Sequence, residues 1–76
     1  MELNKAIAER VSGLLKEKGV AIEELAVKTG LPEKTIKGIL ANRYQKVGLH
    51  RVFIISYSLG LSLQDFFADK IFDNVE

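Results

Sequence analysis

Two lysines three residues apart, Lys34 and Lys37, carry the clearest chemistry in this 76-residue chain. On a helix, residues at this spacing share one face, so both ammonium groups would point the same way. Lysine donors bind phosphate oxygens, or the O6 and N7 atoms of guanine in a DNA major groove. The pair therefore indicates nucleic-acid binding, although the same residues would also suit an ordinary solvated face.

The lysine pair lies in a basic block that runs from Lys28 to Arg51. The block contains six basic residues and one acidic residue, Glu33, so its net charge is +5. The rest of the chain has five basic and nine acidic residues, so the overall charge of +1 conceals this asymmetry. Because phosphate contacts dominate nucleic-acid affinity, a local basic surface matters more than the total charge.

Five short helices are predicted to position these groups. Apolar residues at helical spacing predict helices over about 4–18, 22–29, 32–41, 49–59 and from Ser62 onward. The predicted starts and ends of these helices follow the usual residue preferences. We expect N-caps at Asn4 and Ser62, a first helical residue at Pro32, and helix ends at Gly19, Gly30, Asn42 and Gly60.

The second and third of these helices, joined by a turn at Gly30, have the form of a helix-turn-helix. The fourth helix is expected to bury Leu49, Val52, Ile55, Ser56 and Leu59, and Phe66 and Phe67 are expected to close the core. The sequence thus predicts one all-α domain, residues 1–76, with a core over about 4–67. In the acidic tail, residues 68–76, fraying and docking through Ile71 and Phe72 both stay open.

Several classes of function are disfavoured by composition. The chain has no cysteine and one histidine, His50, so a metal site is not expected. It has no Ser/His/Asp set and no phosphate-cradling glycine loop, so we expect neither an enzyme nor a bound cofactor or small molecule. No apolar run approaches the roughly 18 residues of a membrane span, and the N-terminus has no signal-peptide core, so we expect a cytoplasmic protein without membrane contact.

The order and spacing of four segments resemble the Cro and phage-repressor (XRE-like) type of helix-turn-helix domain. The segments are AIAERVSGLLKEKG, EELAVKTGL, TIKGIL and LGLSLQDFF. The resemblance covers about residues 4–67 and is strongest with small one-domain regulators of Gram-positive bacteria and their mobile elements. It implies a five-helix bundle that binds a specific double-stranded DNA sequence, usually as a symmetric homodimer on an inverted repeat.

The resemblance also implies which residues meet DNA, with the third helix, about 33–41, in the major groove. The positions that match the family's base-reading residues are Glu33, Lys34, Lys37 and Gly38. Glu33 would either accept from cytosine N4 or stabilise the helix N-terminus, and the second role is favoured. Gly38 has no side chain to read a base, and it would let the backbone approach either DNA or a neighbouring helix closely.

Phosphate contacts are implied for Thr35 and for the loop that follows the third helix. The loop residues are Asn42, Arg43, Tyr44, Gln45 and Lys46, which supply both charge and neutral hydrogen bonds. The alternative is an ordinary solvated loop with Tyr44 packed on the third helix.

The chain departs from the family pattern at several positions. Ala21 and Ile22 replace a polar pair, often Ser-Gln, that starts the second helix, and Pro32 replaces a capping Ser or Thr. Val47 stands where a proline is common. Leu15 and Leu40 stand where relatives often have an Arg–Glu ion pair, a replacement that is often neutral or stabilising. The fold is unaffected by these changes, whereas DNA affinity is expected to be lower.

Four consecutive apolar residues, 52–55, cannot all face the core of a helical bundle. An exposed apolar patch commonly marks an interface, and here it would comprise Phe53, Ile54, Tyr57, Ile71 and Phe72. We expect it to form a two-fold dimer interface, the alternative being that the tail folds back over it.

Together these features predict a sequence-specific DNA-binding transcriptional regulator, and family analogy favours repression over activation. The alternative is a protein-interaction module, such as an antitoxin-like partner, that uses the apolar patch and retains little DNA affinity.

Overall fold

Five α-helices and a C-terminal 3-10 helix form the part of the chain that the computed structural model describes, which is residues 2–75 apart from the side chain of Asn74. They are α1 (Leu3–Lys18), α2 (Ile22–Thr29), α3 (Glu33–Leu40), α4 (Leu49–Ser58), α5 (Leu63–Phe67) and the 3-10 helix (Lys70–Asn74). These residues contain no strand, so the prediction of an all-α fold is confirmed. None of these helices has the length and apolar character needed to cross a membrane.

The helix-turn-helix forms where the sequence predicted it, since α2 has the predicted bounds and packs against α3. Gly30 ends α2 with a φ of 74°, a conformation that side chains with a Cβ rarely adopt. The hydroxyl of Thr29 donates to the Leu25 carbonyl at 2.8 Å and accepts from the N–H of Leu31 at 3.1 Å. These bonds fix the direction in which α3 leaves the turn.

Several predicted boundaries differ from the structure by one residue. Pro32 is the N-cap of α3 rather than its first helical residue, and α3 ends at Leu40 rather than Ala41. The fourth helix ends at Ser58 rather than Leu59. Asn42 has a φ of 54°, so the predicted left-handed residue after α3 is confirmed. Differences of this size are expected because helix ends are capped by half-helical residues.

The core lies where α1, α2, α3, α4 and α5 meet. Its largest fully buried residues are Phe66, Leu25, Ile36, Ile39, Ile55, Val11 and Val52, together with Ser56. The Ser56 hydroxyl donates to the Phe53 carbonyl at 3.0 Å, which satisfies it within α4. Leu49 contradicts the prediction, since its side chain is 62% exposed. It lies in the first turn of α4, one turn before the exposed Phe53.

Arg10 joins α1 to the C-terminal part of the chain. Its guanidinium donates to the carbonyl oxygens of Phe66 at 3.0 Å and Asp65 at 3.2 Å, and pairs with the Asp69 carboxylate at 3.2 Å. It also lies over the Phe66 ring, 5.8 Å from the centroid. The planar guanidinium group, with several N–H donors, can bind the two carbonyl oxygens and the carboxylate at the same time. The end of α5 is thereby fixed against α1.

The C-terminal tail docks through an aromatic cluster. The Phe72 ring centroid lies 4.9 Å from that of Phe67 and 5.9 Å from that of Phe66, and the 3-10 helix packs against α1. Docking of Phe72, one of the alternatives left open for the tail, is therefore confirmed. At the start of α5, Ser62 Oγ accepts from the N–H of Asp65 at 3.0 Å, which confirms the predicted N-cap. Met1 and Glu76, included in the predicted domain and tail, lie outside the described residues.

Candidate nucleic-acid interface

The outer face of α3 carries the lysine pair. Ile36 and Ile39 are buried in the core, whereas Lys34 and Lys37 are exposed. Because each residue turns the helix by about 100°, Lys34 lies nearly opposite Ile36, at the middle of this outer face. Lys37 lies at the border of the same face. The structure thus leaves both ammonium groups accessible to a ligand.

Glu33 and Lys37 form an ion pair one turn apart on α3. Their Oε1 and Nζ atoms are 3.0 Å apart, and both side chains are substantially exposed. Glu33 also lies in the first turn of α3, where the helix dipole favours an acid. Both contacts agree with the role favoured from the sequence, which is stabilisation of the helix. The pair also reduces the positive charge that Lys37 presents.

Gly38 is covered by a residue of the α3–α4 loop. It lies four residues after Lys34 on the outer face of α3, yet it is buried. The residue that covers it is Tyr44, because a Cβ at position 38 would lie 2.7 to 2.8 Å from Cε2, Cζ and Oη of that ring. Real Cβ atoms essentially never approach so closely, so the ring can occupy this place only over glycine. Gly38 is therefore a packing site for Tyr44 and presents no base-reading group of its own.

Tyr44 is held on a second side by Arg51 in α4. The Arg51 guanidinium carbon lies 5.8 Å from the centroid of the Tyr44 ring, within the range of a cation–π contact. The Tyr44 side chain remains half-buried, so part of it stays accessible. The packing of Tyr44 on the third helix, one of the alternatives left open by the sequence, is what the structure contains.

The path of the α3–α4 loop, residues 41–48, is set by Asn4. Its Nδ2 donates to the carbonyl oxygens of Tyr44, at 3.3 Å, and Gln45, and its Oδ1 accepts from the N–H of Val47 at 3.3 Å. The predicted N-cap role of Asn4 is wrong, since α1 begins at Leu3 after the N-cap residue Glu2. The Oδ1 atom that would accept a backbone N–H in an N-cap accepts the Val47 N–H instead. Val47 can take part because, unlike proline, it has an N–H to donate.

The predicted phosphate-contacting residues lie on and beside this loop. Asn42, Arg43, Gln45 and Lys46 are exposed, whereas Thr35 is half-buried in the first turn of α3. The N–H of Arg43 donates to the Gly38 carbonyl at 2.9 Å, so the loop starts tightly against the end of α3. The loop therefore places two cationic side chains, Arg43 and Lys46, on a backbone that is fixed at both ends.

The start of α2 adds no side-chain donor to this surface. Ala21 is its N-cap and makes no side-chain cap bond, and Glu23 and Glu24 occupy the first turn. Lys28, part of the basic block, lies 3.9 Å from Glu24 across one turn. The other exposed cationic side chains of the basic block are Lys34 and Lys37 on α3, Arg43 and Lys46 in the α3–α4 loop, and Arg51 on α4.

A second surface, the apolar stripe, runs along α4 through Leu49, Phe53 and Tyr57. These residues are four apart, so they share a helix face, and their exposed fractions are 62%, 47% and 74%. The rings of Phe53 and Tyr57 are stacked, with centroids 6.1 Å apart. Of the other residues predicted for this patch, Ile54 and Ile71 are half-buried and Phe72 belongs to the aromatic cluster with Phe66. Leu49, which was predicted to be buried, is an additional member.

Comparison with known proteins agrees with this arrangement. Residues 10–70 match a family model described as the Cro/C1-type HTH DNA-binding domain, a match that includes α2, α3, α4 and α5. Neither the curated proteins nor the solved structures gave a match to the chain.

Proposed function

The chain belongs to the Cro/C1-type helix-turn-helix DNA-binding domain family, and we propose that it is a transcriptional repressor that recognises a specific operator. The observation that carries the proposal is the exposed lysine pair on the outer face of α3, within a basic block of net charge +5. In a helix-turn-helix this face enters the major groove, where Lys34 reaches base edges. Repression follows from family analogy alone.

The α3–α4 loop binds phosphates beside the groove in this proposal. Arg43 and Lys46 supply charge, and Asn42 and Gln45 supply neutral hydrogen bonds. The Asn4 contacts hold the loop backbone in place, so these groups are ordered before DNA arrives and less entropy is lost on binding. Phosphate contacts fix the register of the protein on the duplex, and α3 then reads the sequence.

Operator binding by two copies is the second element of the proposal. The apolar stripe is supported as the dimer surface because it exposes three large apolar side chains in a row on one helix. A two-fold axis through α4 would bring the same stripe of each copy together, as closed symmetric dimers require. Such a dimer binds an inverted repeat, since DNA half-sites mirror the protein symmetry.

The same stripe favours a second candidate function, that of an antitoxin-like module whose main partner is a different protein. The absence of a polar pair at Ala21 and Ile22 supports this alternative, because two side-chain phosphate contacts are missing there. The basic outer face of α3 opposes it, since a pure protein-binding module has no need of that charge.

Selection from a pool of random DNA duplexes at two salt concentrations tests the proposal. Enrichment of an inverted repeat, with affinity that falls steeply as salt rises, is expected for a dimeric operator-binding protein. Retention of DNA without enrichment would contradict sequence-specific recognition. Absence of DNA binding at low salt would favour the partner-binding module.

A further inference from the structure

We propose that Tyr44 determines part of the DNA sequence specificity. Its side chain occupies the place that a side chain at position 38 would take, and it contacts the edge of a base pair. The inference rests on the proposed function and concerns one contact within it. Where a Cβ of residue 38 would lie, the structure holds three atoms of the Tyr44 ring, the hydroxyl oxygen among them. A residue from the loop thus takes a place on the recognition helix.

Position 38 belongs to the face of α3 that meets the major groove. It follows Lys34 by four residues and Lys37 by one, opposite the buried Ile36. A side chain here would normally be among those aimed at base edges. Glycine leaves the place empty, and Tyr44 fills it from outside the helix.

Tyr44 is fixed in this place by three separate contacts. Its ring packs on Gly38, the Arg51 guanidinium lies over the ring, and its backbone carbonyl accepts from Asn4. The first two contacts hold the Tyr44 side chain itself, whereas the Asn4 contact also orders the loop backbone. Restraint of a recognition group lowers the entropy lost on binding and sharpens its geometry.

The chemistry that Tyr44 offers differs from that of the lysines beside it. Its hydroxyl is a neutral donor and acceptor, and its ring edge is apolar. It would therefore recognise a base-pair edge with a hydrogen-bond acceptor, such as a purine N7, or the methyl group of thymine. We infer that it reads the base pair next to the one contacted by Lys34.

Tyr44→Phe is the sharpest variant, because it keeps the ring and its packing and removes only the hydroxyl. In selections from random duplexes, Tyr44→Phe should lose preference at one base pair by about 3- to 10-fold, the range for one neutral hydrogen bond. Preference at the other positions and the melting temperature should not change. A uniform loss of affinity for all sequences would overturn the inference, because it would make Tyr44 a phosphate contact. Unchanged selection would overturn it as well.

Gly38→Ala tests the same contact from the other side. Its Cβ would displace the ring, so it should lose preference at the same base pair as Tyr44→Ala, and the double variant should lose no more than either one. Gly13→Ala is the matched control, since Gly13 is a helical glycine of α1 with open space around it and should keep the parent preference. Additive losses from Gly38→Ala and Tyr44→Ala would overturn the inference.

The parent protein separates this inference from the proposed function. If the parent enriches an operator and Tyr44→Phe enriches the identical one, the inference alone fails. If the parent enriches no sequence, the proposed function fails first.

Discussion

Asn4 and Val47, 43 residues apart in the sequence, are joined by a hydrogen bond from the Val47 N–H to the Asn4 Oδ1 atom. The same side chain donates to two carbonyl groups of the α3–α4 loop. One amide in the first turn of α1 therefore determines where the proposed phosphate-binding loop runs.

Replacement of Asn4 by alanine should loosen that loop. With three neutral hydrogen bonds lost from a partly exposed site, we expect a stability loss of about 1–2 kcal/mol and weaker DNA binding by about 3- to 10-fold. Hydrogen exchange at the Val47 amide should speed up more than at Ile55 in the core. Asn4→Asp keeps the acceptor and should retain part of the Val47 protection. Gln64→Ala, loss of an exposed amide from α5, is the control, and equal effects from both variants would contradict the assignment.

Arg10 is expected to be the most important charged residue for stability. Arg10→Met should destabilise the fold by about 2–3 kcal/mol, because it removes charge-assisted bonds to the Phe66 and Asp65 carbonyl groups. Arg10→Lys should restore little, since lysine lacks the forked donors. Urea denaturation measures both.

The partner variant Asp69→Asn separates the ion pair from the carbonyl contacts. It removes the charge of Asp69 but keeps an oxygen to accept from the Ile71 N–H. Because the carboxylate is exposed, we expect a cost below about 1 kcal/mol. A larger loss than that of Arg10→Met would show that the ion pair, rather than the carbonyl set, holds α5 to α1.

Glu33 is expected to oppose DNA binding. Its charge pairs with Lys37 and lies on the helix that is proposed to enter the major groove, so Glu33→Gln should raise affinity by about 2- to 4-fold at low salt. The preferred sequence should stay the same in a selection experiment. Asp73→Asn, outside the basic block, is the control. A loss of preference for one base pair would instead assign Glu33 to cytosine recognition.

Replacement of Lys34 and of Lys46 by alanine should affect DNA binding in two different ways. Lys34→Ala should relax preference at one base pair by about 5- to 150-fold, the range that corresponds to about 1–3 kcal/mol. Lys46→Ala should weaken binding to all sequences alike and reduce the salt slope by about one unit. Fluorescence titrations at several salt concentrations measure both effects. Lys70→Ala removes the same charge from the 3-10 helix, and an equal change there would exclude a specific role for Lys46.

The apolar stripe should control the oligomeric state. Phe53→Lys combined with Tyr57→Lys should convert a dimer into a monomer in sedimentation experiments, with little change in stability because both side chains are exposed. Val27→Lys places the same residue on the exposed face of α2 and should leave the mass unchanged. A parent protein that already sediments as a monomer would contradict the dimer.

The elements that could be predicted from the sequence depend on local signals. The run from Ile22 through Gly30 to Leu40 carries an apolar period, a left-handed glycine and an acidic first turn, and each acts within a few residues. The same holds for the Ser62 cap. Exposure of Lys34 and Lys37 followed from the same period, once Ile36 and Ile39 were assigned to the core.

The features that the sequence did not reveal depend on residues far apart in the chain. Asn4 has the correct type and position for an N-cap. Its amide instead binds the backbone of a loop 40 residues later, and no signal near Asn4 predicts that contact. Leu49 fits either face of α4, because it lies three residues before buried Val52 and four before exposed Phe53. The contact between Gly38 and Tyr44 depends on the shapes of a helix residue and a loop residue. Hydrophobic periodicity within a helix cannot predict such a contact.

The contact between Gly38 and Tyr44 also limits how this domain can diverge. A side chain at position 38 and a large ring at position 44 exclude each other, since the Cβ and the ring would occupy the same space. A descendant that acquires a side chain at position 38 must either displace the Tyr44 ring from α3 or replace Tyr44 by a smaller residue. The two positions should therefore vary together among homologues.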